Sequence, residues 1–253
     1  MDHRDDRPQT MTAERGVTAD ELDIKIFADG ADLQSIQDLC NNPLIKGITT
    51  NPSLMHKVGI TDYGAFAREL VAAVPDRPIS FEIFSDEPEE MVSQARTIAA
   101  WGENVYVKVP VTDTTGRRTD TVLRRLAADA IKVNVTGLMT LDQVTWVTEA
   151  VRGDAPACIS VFAGRIADTG VDPVPIMVEA LEIMSEFPAL ELIWASPREL
   201  LNVVQADRIG CHIITVTHDV LKKLPLLGRD LEAYSLETVQ MFHRDAASAG
   251  LAL

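Results

Sequence analysis

A lysine lies in the middle of the otherwise apolar run NVYVKVPVT, which occupies residues 104–112. Three valines alternate there with Tyr106 and Lys108, as in a β-strand whose successive side chains point to opposite faces. Lys108 is therefore predicted to point away from the valine face. Because an ammonium group is costly to bury, such a lysine needs either a carboxylate partner or a chemical use. For one buried lysine a structural ion pair is the commoner explanation, so Lys108 alone decides nothing.

The chemistry open to a buried lysine is attack on a carbonyl group. A buried amine spends part of its time uncharged, and an uncharged amine can form a Schiff base with a ketone. The resulting iminium withdraws electrons, so that a neighbouring carbon–carbon bond can break. The proton transfers of such a reaction need an acid–base pair, for which Asp29 and Glu82 are present. This chemistry requires no metal and no cofactor.

Polar side chains recur at the ends of other strand-like runs, on the face opposite to the aliphatic residues. In ISFEIFSD, Glu82 has the parity opposite to Phe81, and two arginines that suit a terminal phosphate follow later runs, with Ser196 at a predicted helix start. The set of residues predicted to meet at one site is Asp29, Thr49, Asn51, Glu82, Lys108, Asn134, Thr136, Ser160, Phe162, Arg165, Ser196 and Arg198. Convergence of so many polar groups predicts a functional pocket better than any single residue does.

Short β-branched runs alternate with longer amphipathic segments along the whole chain. Strands are predicted at 24–28, 47–49, 79–84, 105–109, 131–135, 157–161, 190–194 and 212–216. Helices are predicted at 33–39, 63–74, 89–100, 121–129, 142–152, 174–187, 198–206, 220–224 and 231–246. About eight βα units without a composition break predict a single (β/α)₈ TIM barrel, in which the carboxyl ends of the strands carry the site. No glycine-rich GxGxxG turn follows the first strand, which disfavours a doubly wound sheet.

The composition of the chain indicates which partners and which location the protein can have. The chain has 253 residues and a formal net charge of −15, a field that repels phosphate backbones and disfavours nucleic acid as a partner. Its three cysteines are scattered, which indicates neither a disulfide framework nor a zinc site. Without an apolar stretch of membrane-spanning length or a signal peptide, the sequence predicts a cytoplasmic protein with no membrane partner.

The two ends of the chain are predicted to differ from the middle. The first sixteen residues are mostly charged or polar, and residues 1–22 are predicted to be a flexible extension. Residues 23–253 are predicted to form the barrel together with a C-terminal amphipathic helix, whose apolar residues cover the barrel or a neighbouring subunit.

Seven segments together resemble the transaldolase family of Schiff-base-forming enzymes, in particular its short members and the related fructose 6-phosphate aldolases. In order they are FADGADL, GITTNPSLM, ISFEIF, NVYVKVPVT, IKVNVTG, SVFAGRIADTG and WASPREL, which span residues 27–200. The resemblance implies a (β/α)₈ barrel that moves a dihydroxyacetone unit between sugar phosphates, as in the pentose phosphate pathway. It also implies a homo-oligomer.

The resemblance further implies a role for each matching residue. Lys108 would form the Schiff base, Asp29 would take the proton of the C4 hydroxyl, and Glu82 would act through a water held by Thr136. The substrate-binding residues would be Asn51 and Asn134 at the dihydroxyacetone hydroxyls, Thr49, Ser160 and Phe162 nearby, and Arg165, Ser196 and Arg198 at the phosphate.

Two alternatives to transfer stay open. A fructose 6-phosphate aldolase would release free dihydroxyacetone, but such members of the family tend to carry glutamine and tyrosine where this chain has Glu82 and Phe162. A phosphosugar-binding barrel without catalysis would keep the arginines, yet it would need neither Lys108 nor the two carboxylates.

Overall fold

A computed structural model describes residues 16–250 of the chain. Most of the extension predicted at 1–22 lies outside the described residues. Its described end contains a short 3₁₀ helix, Ala19–Glu21, in which the Glu21 carboxylate accepts hydrogen bonds from the Thr18 amide and hydroxyl at 2.9 Å each. Among residues 16–250, no helix combines the length and the apolar character that a bilayer crossing requires.

Eight parallel strands close into a barrel in sequence order, which confirms the predicted (β/α)₈ fold. The strands are β1 (Lys25–Asp29), β2 (Ile45–Thr49), β3 (Ile79–Glu82), β4 (Val105–Pro110), β5 (Val133–Leu138), β6 (Ala157–Val161), β7 (Leu190–Trp194) and β8 (Ile213–Thr217). Each predicted strand corresponds to one of these, with ends that differ by up to three residues.

Helices lie between successive strands and after β8. They are α1 (Leu33–Cys40), α2 (Pro52–Lys57), α3 (Tyr63–Ala73), α4 (Pro88–Ala99), α5 (Asp120–Ala128), α6 (Leu141–Val151), α7 (Ala163–Asp168), α8 (Pro173–Met184), α9 (Leu201–Arg208), α10 (His218–Leu221) and α11 (Leu231–Ser248). The sequence did not predict α2 and α7, which directly follow β2 and β6. The predicted helix 198–206 begins only at Leu201, after a loop in which Ser196 has a φ of 61°, outside the helical region.

β5 extends three residues beyond its predicted end. Its ladder with β6 shifts register between Val135 and Leu138, where Gly137 has a φ of 86°. A positive φ suits glycine, and the extra residue of a bulge changes the direction of the strand. Thr136 lies at this irregularity, at the carboxyl end of the barrel.

The interior of the barrel is apolar beneath the polar end. Phe27 on β1 packs with Cys158, Ile193 and Ile213 in one buried cluster. Gly47, the register partner of Phe27, leaves room for its ring, since a Cβ there would lie 2.6 Å from a ring carbon. These apolar side chains are tightly packed, so they hold the polar side chains above them in fixed positions.

The described residues divide into two compact units, and the barrel unit is Asp23–Lys222. The second unit contains residues 16–22 and 223–250. In the second unit Asp230 caps α11 by accepting a 2.8 Å hydrogen bond from the Ala233 amide. The apolar side chains of α11 are exposed: Leu231, Tyr234, Leu236, Val239, Met241 and Phe242. That residues 23–253 form one domain stays a prediction.

Candidate active site

Lys108 lies on β4 at the carboxyl end of the barrel and is only 8% exposed. Its register partners are Glu82 on β3 and Asn134 on β5, so all three side chains point inward. The Nζ atom is 3.4 Å from Glu82 Oε2 and donates a 3.0 Å hydrogen bond to the carbonyl oxygen of Thr50. The buried lysine therefore has the carboxylate partner that its burial demands. The same carboxylate is close enough to accept the proton that the amine must lose before it can attack a carbonyl.

Tyr63 at the start of α3 holds the main chain of Glu82. Its hydroxyl accepts a 2.7 Å hydrogen bond from the Glu82 amide and donates a 3.0 Å bond to the Glu82 carbonyl oxygen. The ring packs edge to face against Phe81, Phe84 and Trp101. Burial raises the pKa of the Tyr63 phenol, so this hydroxyl stays protonated and can donate. The end of β3 is thereby fixed in position.

Asp29, the last residue of β1, accepts two hydrogen bonds from neighbouring side chains. Thr49 donates to its Oδ1 at 3.1 Å, and Asn51 donates to its Oδ2 at 3.1 Å. Burial raises the pKa of the Asp29 carboxyl above its ordinary value, against the opposing effects of the Lys108 charge and these two hydrogen bonds. A carboxyl of raised pKa exchanges its proton more readily near neutrality, as a general acid–base must.

The Asn51 side chain has a fixed orientation because it caps a helix. It is the N-cap of α2, where its Oδ1 accepts a 2.9 Å hydrogen bond from the Leu54 amide. Its Nδ2 therefore faces Asp29. Thr49, two residues earlier, also contacts Thr215 of β8 at 2.5 Å between hydroxyl oxygens. The end of β2 is thus tied to β1, its neighbour, and to β8, the next strand beyond β1.

A chain of hydrogen bonds joins three inward-facing residues on β6, β5 and β3, namely Ser160, Asn134 and Ser80. Ser160 on β6 donates to Asn134 Oδ1 at 2.7 Å, and Asn134 Nδ2 donates to the Ser80 hydroxyl at 3.1 Å. Because all three are buried and paired, the Asn134 amide cannot rotate freely. Thr136, which is 5% exposed, follows Asn134 on the same face of β5.

Two arginines form a positive end of the site. Arg165 on α7 lies over the Phe162 ring, with its guanidinium carbon 5.8 Å from the ring centroid. Arg198 donates from Nε to Asp168 Oδ1 at 2.8 Å and pairs with the second Asp168 oxygen through Nη2. Its Nη1 donates to the Ser196 carbonyl and hydroxyl oxygens at 3.1 and 3.0 Å. Both arginines lie after β6 and β7, at the same end of the barrel as Lys108.

The residues directly after β7 were predicted to begin a helix, but they form a loop. Ser196 and Arg198 precede α9, and the Asn202 side chain instead accepts hydrogen bonds from the amides of Arg198 and Glu199, at 2.7 and 3.2 Å. Gly164 makes the close approach of this loop to α7 possible. A Cβ at Gly164 would lie 1.6 Å from the Ser196 carbonyl oxygen.

One cavity of about 620 Å³ brings every predicted site residue together. It is lined by Asp29, Thr49, Asn51, Glu82, Lys108, Asn134, Thr136, Ser160, Phe162, Arg165, Ser196 and Arg198, among others. Two carboxylates, one amine and two guanidinium groups thus share a single concave space at the carboxyl ends of the strands. Within residues 16–250, no group of three or more His, Cys, Asp or Glu side chains could hold a metal ion.

Comparison with known proteins shows the family of this chain. A family model described as Transaldolase/Fructose-6-phosphate aldolase matches residues 26–252. The chain belongs to this family. A protein named probable transaldolase from Dehalococcoides mccartyi is 33% identical over 202 residues, which are 79% of this chain and 90% of that protein. Another, from Methanococcus maripaludis, is 33% identical over 215 residues, or 83% of this chain and 95% of that protein.

A solved structure titled "Native KDPGal structure" shares the fold of this transaldolase/aldolase family member. It aligns with a TM-score of 0.53 at 13% identity, over 86% of this chain and 97% of that one. At this identity the likeness extends to the barrel alone.

Four residues of this transaldolase/aldolase site were not among those predicted. Thr215 and Thr217 of β8 line the cavity, and the alternation in IITVT could have identified them by the parity rule that identified Glu82. Thr50 and Tyr63 act through main-chain contacts with Lys108 and Glu82. No pattern in the sequence marks such contacts, because they depend on how distant segments pack.

Proposed function

We propose that the protein is a transaldolase that moves a dihydroxyacetone unit from a ketose phosphate to an aldose phosphate through a Schiff base on Lys108. Sedoheptulose 7-phosphate and fructose 6-phosphate are the proposed donors, as in the pentose phosphate pathway. The observation that carries the proposal is a buried amine 3.4 Å from a carboxylate, in one cavity with Asp29 and two arginines. Membership of the transaldolase/aldolase family supports it.

The proposed reaction begins with proton transfer from Lys108 to Glu82. The neutral amine adds to the ketone carbon of the donor, and Glu82, through a water held by Thr136, returns a proton as the carbinolamine loses water. Asp29 then takes the proton of the C4 hydroxyl, the C3–C4 bond breaks, and its electron pair passes to the iminium. The aldose phosphate leaves, and an enamine of dihydroxyacetone stays on Lys108. The acceptor aldehyde reacts by the reverse steps, so no cofactor is needed.

The other predicted residues fit positions around this chemistry. Asn51 and Asn134, whose amides are held in place by neighbouring groups, are suited to orient the donor hydroxyls. Arg165 and Arg198 would bind the phosphate at the far end of the cavity, together with Ser196. Their positive charge attracts sugar phosphates locally, although the chain as a whole has a net charge of −15.

Phe162 favours transfer over simple cleavage. Its ring lines the cavity and presents no hydroxyl that could hold water or deliver a proton to the enamine. Without such a proton donor the enamine persists until an acceptor aldehyde arrives. Release of free dihydroxyacetone would then be slow.

An acceptor experiment tests the proposal. The enzyme is given fructose 6-phosphate with and without erythrose 4-phosphate, and both sedoheptulose 7-phosphate and free dihydroxyacetone are measured. We expect product formation to require the acceptor, and we expect Phe162→Tyr to raise the release of free dihydroxyacetone. Equal release with and without acceptor would identify an aldolase instead. Calorimetric binding of sugar phosphates with no turnover in any donor–acceptor pair would identify a non-catalytic barrel.

A further inference from the structure

Asp168 lies next to the phosphate end of the cavity, although it was not among the predicted site residues. It is the last residue of α7, three positions after Arg165, so both side chains project from the same side of this helix. Its two carboxylate oxygens pair with Nε and Nη2 of Arg198 from the next loop. The pKa of the Asp168 carboxyl is lowered, first by the hydrogen bonds from Arg198 and then by the charges of Arg198 and Arg165. One carboxylate thus connects the two segments that carry the arginines.

The contacts of Arg198 leave a defined set of donors free. A guanidinium has five N–H groups. Asp168 accepts from one on Nε and one on Nη2, and the carbonyl and hydroxyl oxygens of Ser196 both accept from Nη1. This leaves the second N–H of Nη2 for a phosphate oxygen, and the Ser196 hydroxyl, which accepts from Nη1, still has its own O–H to donate to another.

We propose that Asp168 is a positioning residue that sets the preference of the site for phosphorylated sugars, by holding the Arg198 guanidinium with the second N–H of Nη2 toward the phosphate. This inference rests on the proposed function, since it assigns a substrate class to the same cavity. Ser196, with its φ of 61°, supports the same orientation from the other side of the guanidinium.

The Asp168 carboxylate also has an effect that opposes phosphate binding. Its negative charge reduces the attraction of the two arginines for a phosphate. The Arg198 and Asp168 side chains are 43% and 54% exposed, so water and salt screen this charge. Loss of the fixed orientation is not screened, because a freely rotating arginine must be ordered again each time a phosphate binds. Orientation is therefore the larger effect, and removal of the carboxylate weakens phosphate binding.

Steady-state kinetics with two donors test the inference. Fructose 6-phosphate and unphosphorylated fructose are compared in the wild-type enzyme, Asp168→Asn, Asp168→Glu and Asp154→Asn. Asp154, an exposed residue between α6 and β6 at the opposite end of the barrel, controls for the loss of one negative charge. We expect Asp168→Asn to raise KM for fructose 6-phosphate about tenfold, which corresponds to about 1.4 kcal/mol. The preference for fructose 6-phosphate over fructose falls by the same factor, and Asp168→Glu restores part of it.

Two results would overturn the inference. A lower KM for fructose 6-phosphate in Asp168→Asn would mean that Asp168 competes with the phosphate. An equal loss with both donors would mean that Asp168 only supports the fold.

Binding of inorganic phosphate separates this inference from the proposed function. If the wild-type enzyme turns over neither donor, the proposed function fails, yet calorimetry with inorganic phosphate still tests Asp168. We expect weaker binding in Asp168→Asn than in Asp154→Asn, and an unchanged Kd would refute the positioning role.

Discussion

The ion pair of Lys108 and Glu82 gives the central lysine both a charge partner and a proton acceptor. The carboxylate offsets the cost of burying a cation, which is why an inward-facing lysine is tolerated above an apolar floor. The same contact, at 3.4 Å, provides a route for the proton that the amine must release. The structural and the chemical explanations of Lys108, which are alternatives in the sequence, are therefore compatible in the structure.

The raised pKa of Asp29 predicts a pH-dependent effect on stability. Because Asp29 binds its proton more tightly in the folded than in the unfolded protein, its ionised form costs stability as the pH rises through the raised value. Asp29→Asn lacks this cost. We therefore expect the free energy of unfolding of wild type, relative to Asp29→Asn, to increase as the pH falls from neutrality toward the ordinary aspartate value of 3.8. Urea unfolding at several pH values measures the difference.

The matching control for this prediction is Asp154→Asn, which changes an exposed carboxylate. It measures how far the loss of one exposed carboxylate changes the free energy of unfolding over the same pH range. A difference between wild type and Asp29→Asn that does not depend on pH would mean that burial does not perturb Asp29.

Parity in short strands explains how much of the site could be predicted. In a strand, successive side chains alternate, so the inward position of Glu82, Lys108 and Asn134 follows from the sequence alone. Their meeting in one cavity follows from the barrel, which brings the strand ends together. Tyr63 and Asp168 could not be predicted, since their functions depend on hydrogen bonds to segments distant in the sequence.

At the scale of elements, short segments set the positions of the site residues. α2 and α7 have six residues each, too few for an apolar period to appear in the sequence. α2 begins at the Asn51 cap, and α7 delivers Arg165 and Asp168. The elements that the sequence missed are thus the ones that directly follow strand ends at the cavity.

Gly164→Ala tests the close packing of α7 on the loop after β7. The new methyl group would overlap the Ser196 carbonyl oxygen, 1.6 Å away, so the loop must move. We expect a loss of about 1–3 kcal/mol in stability or more, together with a higher KM for phosphorylated donors because Arg198 shifts with the loop. Thermal unfolding and kinetics measure the two effects.

Gly153→Ala is the matched control for this substitution, because a Cβ at Gly153 would meet nothing within 4 Å. It should change stability by no more than about 0.5 kcal/mol. If Gly164→Ala behaved like this control, the close contact between α7 and the loop would not exist in the protein.

Tyr63→Phe tests the support of β3 by α3. The substitution keeps the ring against Phe81 and Trp101 but leaves the amide and carbonyl of Glu82 without their partner. We expect the free energy of unfolding to fall by about 1–3 kcal/mol. Tyr234→Phe, on the exposed face of α11, should change it by less than about 0.5 kcal/mol. Equal effects of the two substitutions would contradict the assigned role of the Tyr63 hydroxyl.

At the scale of the whole molecule, the order of the strands could be predicted because each βα unit has a local signature and consecutive parallel strands are neighbours. The role of α11 could not be predicted from the sequence. Its apolar side chains are exposed, and the amphipathic pattern shows that a partner surface would suit them without showing which one.

Assembly into a homo-oligomer stays a prediction, and it is measurable. We expect light scattering to give a mass that is a multiple of 27.7 kDa. Charges introduced by Leu236→Glu together with Phe242→Glu should reduce the mass to one chain if α11 forms the interface, while Gln240→Glu on the same helix should not. A wild-type mass of 27.7 kDa would contradict the prediction.

Chemical trapping of the covalent intermediate tests the role of Lys108 as the Schiff-base lysine. The enzyme is incubated with fructose 6-phosphate, reduced with borohydride, digested and mapped by mass spectrometry. A Schiff base on Lys108 predicts one adduct, on the peptide that contains Lys108, and none in Lys108→Arg, which keeps a positive charge beside Glu82 but cannot form an imine. An adduct on another lysine, or active enzyme that yields no adduct with any ketose phosphate, would contradict it.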